Sequence, residues 1–431
     1  MFRKIFQGKF VRNVILVASG TAGAQAITMA FSPIITRLYG PEAFGLLGTY
    51  LATLAIAMPV AALSYPIAIV LPESDDDAKA LAKLSFRIAL VMALVIAVIL
   101  LVFGNKIATL LGMQAIAGFM LLIPAAMFFN ALQQIMQQWL IRKQQFKVTA
   151  RIAVSQSLIL NTTKSGLGWF YPFGSVLIAL ATLGNMLYAA QLWFGAKKWA
   201  DKDGRIDKAT GKVSLKEQAY KHRDFAYYRT PQVLVNAVSQ SIPVLLLAGF
   251  FGPATAGFFS LGKSVLSAPA TLIGTSVGNV FYPKIAEAHN AGKNPVPLLN
   301  KATLATFLVG LIPFGIIMIF GVWIFEFVFG DDWAIAGQYA QWMALWVLVS
   351  LSARPLIATI PVVRMQGIFL VYELVFLILK ATAFVVAGYI YNDALTAVVL
   401  YSLITASSYM MLYLIVIVFI DYEQKKRPTN Y

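Results

Sequence analysis

Apolar runs recur along this chain, each about as long as the ~20 residues that cross a bilayer core, and short polar breaks separate them. Twelve such runs lie near 13–35, 43–64, 82–103, 115–136, 152–170, 174–195, 231–251, 256–279, 301–322, 335–353, 367–390 and 394–420. None shows the period-two alternation over ~10 residues that marks a strand of an outer-membrane barrel. A backbone in lipid must close its hydrogen bonds within its own segment, so the runs are predicted to be helices. Hydrophobic residues fill 59% of the 431 positions and the mean hydropathy is +0.75, more apolar surface than a soluble fold can hide. The fold class expected is an all-α polytopic membrane protein of about twelve transmembrane helices.

Charge orients the spans. The formal net charge is +16, and 29 of the 34 Lys and Arg fall in the N-terminal segment, in or at the edges of breaks that follow even-numbered spans, or at the C-terminal end. Arg37 and Lys106 fall in the opposite set; Lys164, Lys263 and Lys380 lie inside spans. The positive-inside rule then places both termini in the cytoplasm. The same distribution accounts for the basic balance without nucleic acid as a partner. Span five is polar (Gln156, Asn161, Lys164), but basic residues flank the stretch that holds spans five and six on both sides. The start resembles a signal peptide with Ala22-Gly23-Ala24 as a cleavage site. Its apolar run continues past that point, so an uncleaved first helix is expected.

The chain also repeats. Gly40-Pro41-Glu42-Ala43-Phe44-Gly45 follows the first span and Gly252-Pro253-Ala254-Thr255-Ala256-Gly257 follows the seventh. Phe103-Gly104-Asn105 after span three is echoed by Phe329-Gly330-Asp331 after span nine, and Pro59 in span two by Pro269 in span eight. A six-span offset gives two halves of the same orientation, related by a pseudo-two-fold along the membrane normal. The domains expected are an N-terminal six-helix lobe at 1–195, a basic cytoplasmic linker at 196–229, a C-terminal six-helix lobe at 230–420 and a tail at 421–431. In the linker, Val213 to Tyr228 interleaves basic and aromatic residues. It reads equally as a helix on the anionic inner leaflet and as a plain tether.

Several apparent motifs carry no chemistry. Gly257 to Ser264 matches the P-loop pattern, yet it begins an apolar span with no βαβ alternation around it, so the glycines read as helix-packing positions. There is no cysteine, and His222 and His289 both fall in cytoplasmic breaks, so neither a metal site nor a cofactor is expected. The external acids Glu42, Glu326, Asp331, Asp332 and Asp393 sit on short breaks, with no room for an external catalytic domain.

Ionisable residues inside spans cost at least ~2.5–3.5 kcal/mol each and usually face a wet cavity or a partner. Lys164, Lys263 and Lys380 meet this description, with Arg354 and Arg364 near the inner end of span ten. Together they predict a cationic cavity suited to an anionic substrate, phosphate above all. Glu373 is a candidate for ion coupling, by proton or sodium. The bland alternative is that each charge pairs with a neighbouring helix or snorkels to an interface.

Several segments in order resemble the polysaccharide flippases, of the O-antigen translocase type, in the multidrug/oligosaccharidyl-lipid/polysaccharide exporter superfamily. They are Pro33-Ile34-Ile35-Thr36-Arg37-Leu38-Tyr39-Gly40-Pro41-Glu42 with Phe44-Gly45, Leu71-Pro72-Glu73 before an acidic run, and Tyr228-Arg229-Thr230-Pro231. The Gly252 to Gly257 segment with Phe281-Tyr282-Pro283, and Phe329-Gly330-Asp331-Asp332-Trp333 with Ala336-Gly337, complete the set. The resemblance implies an inner-membrane protein that flips an undecaprenyl-diphosphate-linked oligosaccharide for O-antigen, capsule or exopolysaccharide synthesis. It also implies alternating access, coupling to a proton or sodium gradient, and contact with the polysaccharide polymerase machinery; membrane lipid is the other partner. No catalytic residue carries over, and a non-enzymatic transporter is expected. The rivals are an ion-coupled multidrug exporter of the same superfamily, which should carry more buried carboxylates, and a membrane-integral glycan polymerase or polyprenyl-sugar transferase.

Overall fold

A computed structural model describes residues 9–110, 114–203, 214–290, 294–363 and 365–426. Among these residues there is no strand. The helices are α1 (Lys9–Ala61), α2 (Asp75–Leu110), α3 (Leu122–Arg142), α4 (Phe146–Gly168), α5 (Gly174–Asp203), α6 (Leu215–Lys221) and α7 (Thr230–Phe251). They continue with α8 (Pro253–Asn290), α9 (Val296–Phe329), α10 (Ala334–Ser352), α11 (Arg354–Thr359), α12 (Gln366–Val386) and α13 (Ala394–Lys426). Short 3-10 turns lie at Tyr65–Val70, Gln114–Phe119 and Asp331–Trp333, and π-helical turns at Phe225–Arg229 and Ala387–Tyr391.

Nine helical stretches are long and apolar enough to cross a bilayer among the described residues. The first, Ser19–Ala61, is two spans joined at Gly40. The helices α3 and α4, of 21 and 23 residues, supply two more and complete the expected twelve. Both are more polar than a lipid-facing helix because their polar groups bond inward. Gln133 Nε2 donates to the Asn185 carbonyl at 2.8 Å, and Gln156 Nε2 to the Gly184 carbonyl at 2.8 Å. Span five is therefore a full-length helix that packs on α1 and α5. Small residues allow the approach to α1, since a Cβ on Gly20 would sit 2.5 Å from that of Ala150.

The repeated Gly-Pro segments share a backbone conformation. Gly40 has φ 67°, ψ 173° and Gly252 has φ 89°, ψ 170°. This region is closed to side chains, so glycine ends one helix there, and the proline that follows begins the next in a φ it already prefers. Gly330 adopts a similar conformation (φ 110°, ψ 163°) after α9. Its sequence echo Gly104 does not, because Gly104 lies within the continuous helix α2.

The chain forms two compact units, residues 1–256 and 257–431. The helix α7, which the repeat assigns to the second half, packs against α1 in the first unit. Aromatic contacts tie the second unit together: Phe259, Trp346 and Phe384 each place a ring within about 6 Å of Tyr401.

The cytoplasmic end of the first unit is clasped by Arg142 at the end of α3. Its Nε donates to Asp75 Oδ1 at 2.9 Å and its Nη2 to the Glu73 carbonyl at 3.0 Å, with a further bond to the Pro72 carbonyl. Lys143 also bonds Asp75. The linker docks on the same end. Gln218 is buried and donates to Asp77 at 2.9 Å, the Tyr65 hydroxyl donates to the Ala219 carbonyl at 3.0 Å, and Phe225 joins the Tyr65, Ile69 and Leu81 cluster. The segment is thus neither a free tether nor one continuous interfacial helix. It is a short helix and a π turn fixed to the bundle.

Two outcomes follow from this end of the molecule. Arg142→Ala leaves two carbonyls without their donor while Asp75 keeps Lys143, and is expected to cost about 1–3 kcal/mol, read as a lowered thermal midpoint in detergent. Burial, assisted by Lys221 and opposed by Asp77, pushes the His222 imidazole below its ordinary value, so the docked ring is neutral. Linker docking is therefore at full strength above about pH 6.5 and weakens as the pH falls below it. Protection factors over 214–229, which divide out the intrinsic pH dependence of amide exchange, should fall between about pH 7 and pH 5.5, and the step should vanish in His222→Gln; a flat profile in the parent would contradict this.

Candidate functional site

The expected cavity residues divide between the two compact units. Lys164 belongs to the first and lies on the last turn but one of α4. The Tyr39 hydroxyl donates to the Lys164 carbonyl at 2.9 Å, and Tyr39 also fills the space beside Gly168. This pins the outer end of α4 to the residue just before the Gly40 turn. No carboxylate forms a direct ion pair with Lys164 among the described residues.

Lys263, Arg354, Glu373 and Lys380 belong to the second unit. Lys263 lies on α8, one residue past Gly262, which packs on Met343 and Ala340 of α10. The whole Gly257 to Ser264 stretch is helical, so its amides are committed to helix bonds and cannot cradle a phosphate as a P-loop does. Glu373 and Lys380 lie on α12, separated by two turns or ~10 Å of rise, and act on each other through space rather than as a contact pair. Arg354 opens α11, with its guanidinium beside Gly274 of α8. Both Arg354 and Glu373 act electrostatically on the Tyr409 hydroxyl, and Glu373 acts on Tyr372. Arg354, Glu373, Tyr372 and Tyr409 thus influence one another only through space, from α11, α12 and α13. Arg364 lies outside the described residues, as do residues 204–213 of the linker and 427–431 of the tail.

Burial separates wet faces from lipid faces. The helices α2 and α9 expose only apolar side chains through their middles, among them Leu90, Leu94 and Val98, and Leu308, Ile312 and Ile319. A different surface appears where α1 meets α4. Ser157 Oγ donates to the Ala24 carbonyl at 2.8 Å, Thr28 and Ser157 lie 3.0 Å apart, and Asn161 Nδ2 reaches Thr28 Oγ1 at 3.2 Å. Thr28, Thr162 and Thr163 are exposed beside this seam. The sequence marked Asn161 as an oddity of span five but gave no reason to pair it with Thr28, which lies 133 residues away. Asn161→Leu should cost about 1 kcal/mol in a detergent melt, since it removes the Nδ2 bonds to Thr28 and Ser157 while those hydroxyls keep each other and the Ala24 carbonyl; an unchanged melt would show that the seam is not cohesive.

Among the described residues no three His, Asp or Glu gather in a group that could hold a metal ion.

The sequence profile of a family described as polysaccharide biosynthesis protein matches residues 34–338. The succinoglycan biosynthesis transport protein ExoT of Rhizobium meliloti (strain 1021) is 22% identical over 344 residues, which is 78% of this chain. The matched region spans 65% of that relative's length. Among solved structures, the lipid II flippase MurJ in an inward closed conformation superposes with a TM-score of 0.73 at 14% identity, covering 94% of this chain and 89% of that one. An inward-facing multidrug resistance MATE family transporter of the MOP superfamily gives 0.69 at 12% identity, covering 94% and 96%. At such identities these two likenesses establish the fold alone.

Proposed function

The chain belongs to the polysaccharide biosynthesis protein family, and on that premise we propose that it is a flippase for a lipid-linked oligosaccharide. It carries an undecaprenyl-diphosphate-linked unit across the bacterial cytoplasmic membrane for surface polysaccharide synthesis. No covalent bond is made or broken in this step. The work is to move a charged, hydroxyl-rich headgroup through a medium that solvates neither, while the polyprenyl tail stays in lipid.

One observation carries the reading. The spans hold Lys164, Lys263 and Lys380 against the single carboxylate Glu373, an excess of positive charge in a region where each charge is costly. A diphosphate is the natural counter-charge. Charge-assisted bonds between ammonium and phosphate oxygen are about twice as strong as neutral ones, and they gain further in a low-dielectric site. Arg354, exposed at the inner end of span ten, and Arg364 in the break that follows would meet the headgroup near the cytoplasmic side. Two six-helix halves would rock about the substrate by alternating access. Glu373, the carboxylate within the spans, is the coupling residue of this proposal. A proton or sodium ion arriving there would change the charge balance and bias one orientation.

Charge reversal tests the reading. Lys263→Glu and Lys380→Glu are each expected to abolish surface glycan export while the protein remains inserted at normal levels; the Lys→Arg variants should retain export. Normal export by both reversed variants would contradict a cationic path. Export of cationic drugs in place of glycan would favour the multidrug exporter.

A further inference from the structure

On α7, the exposed positions from Gln232 to Gln240 are three, and each is a carboxamide: Gln232, Asn236 and Gln240. Spaced four apart, they fall along one face of the helix. The span around them runs over Phe225–Phe251 and is otherwise apolar. No large hydrophobic side chain is exposed anywhere between Tyr228 and Leu272, in contrast to the rows of Leu, Val and Ile that α2 and α9 show. At the foot of this face, Arg229 Nη1 donates to Gln232 Oε1 at 2.9 Å.

Depth decides what the face meets. From the helix start at Thr230, Asn236 is ~9 Å and Gln240 ~15 Å along the axis. The hydrocarbon core is ~30 Å thick, so the row runs from the cytoplasmic edge to about the midplane. Lysine and arginine can snorkel out of lipid on long stems, but Asn236 has no such stem. A carboxamide row exposed at this depth is therefore a wetted surface. Each carboxamide offers both donors and acceptors and carries no charge. That combination suits adjacent sugar hydroxyls, which also donate and accept, and it does not compete for the diphosphate.

We propose that Gln232, Asn236 and Gln240 are the glycan-contacting face of the first unit, which takes the hydroxyls of the saccharide headgroup on its cytoplasmic approach. This assignment rests on the flippase reading and adds to it a second recognition element, for sugar, distinct from the lysines.

The chain has no cysteine, so single cysteines can be placed at Asn236 and Gln240, with lipid-facing controls at Leu94 and Val98. In inverted membrane vesicles, a membrane-impermeant thiol reagent is expected to label N236C and Q240C at least about tenfold faster than the controls. Labelling at the control rate would overturn the wetted face. In reconstituted vesicles, Asn236→Leu and Gln240→Leu should each slow translocation of the full lipid-linked oligosaccharide about tenfold, the loss of one or two hydrogen bonds. The same variants should move a polyprenyl diphosphate carrying a single sugar within about twofold of the parent, and Asn236→Ser, which keeps a donor and an acceptor, should restore the full substrate. Equal slowing of both substrates would mean a structural role and overturn the glycan assignment, as would no slowing of either. A parent protein that moves neither substrate, yet labels at N236C, would overturn the flippase reading and its glycan assignment while leaving the wetted face intact.

Discussion

Inside the hydrocarbon core there is no water to satisfy an amide or solvate a charge. Each segment must close its own backbone bonds, and each polar side chain must bond a neighbour or face a wet surface. That constraint sorts the residues of this chain into three groups. Leu90, Leu94 and Val98 on α2 face lipid and need nothing further. Gln133, Gln156 and Asn161 are polar and buried, and each bonds a neighbouring helix or its own. The remainder are polar or charged at depth, and under the proposed function they are the groups that meet the substrate.

The two cytoplasmic attachments give this sorting a frame. Arg142 gathers the loop between α1 and α2, and the docked linker lies against the same end through Gln218 and Tyr65. Thr230, at the start of α7, bonds Ser64 just past the end of α1 at 3.0 Å. The foot of the carboxamide row is thereby tied to the rigid inner end of the first unit. A recognition face set on an anchored helix keeps its geometry better than one on a loop.

The spans and the Gly-Pro turns were legible in the sequence because each depends on local facts: length, hydropathy, and glycine beside proline. The segments that carried the family resemblance also turn out to be structural. Tyr39 and Gly40 set a turn, Pro72 and Glu73 supply carbonyls to Arg142, and Gly337 lets α10 approach α9 so closely that a Cβ would fall 2.6 Å from Val322 Cα. The echo at Gly104 misled, since a glycine inside a helix and one at a left-handed turn look alike until φ is known. Charges at depth were equally plain, because one lysine stands out in an apolar run. The neutral polar groups were not. Gln156 and Asn236 have the same kind of side chain in similar surroundings, yet one is buried against Gly184 and the other exposed. Only the packing of distant helices distinguishes them.

The most direct test of the account follows the substrate rather than the protein. In a strain lacking this chain, the membrane lipids are extracted and the diphosphate-linked oligosaccharides are measured together with the surface glycan. If the protein translocates a completed lipid-linked unit, that unit accumulates and the surface glycan is lost, and a plasmid copy reverses both. Unchanged surface glycan with no accumulated lipid-linked unit would contradict the account.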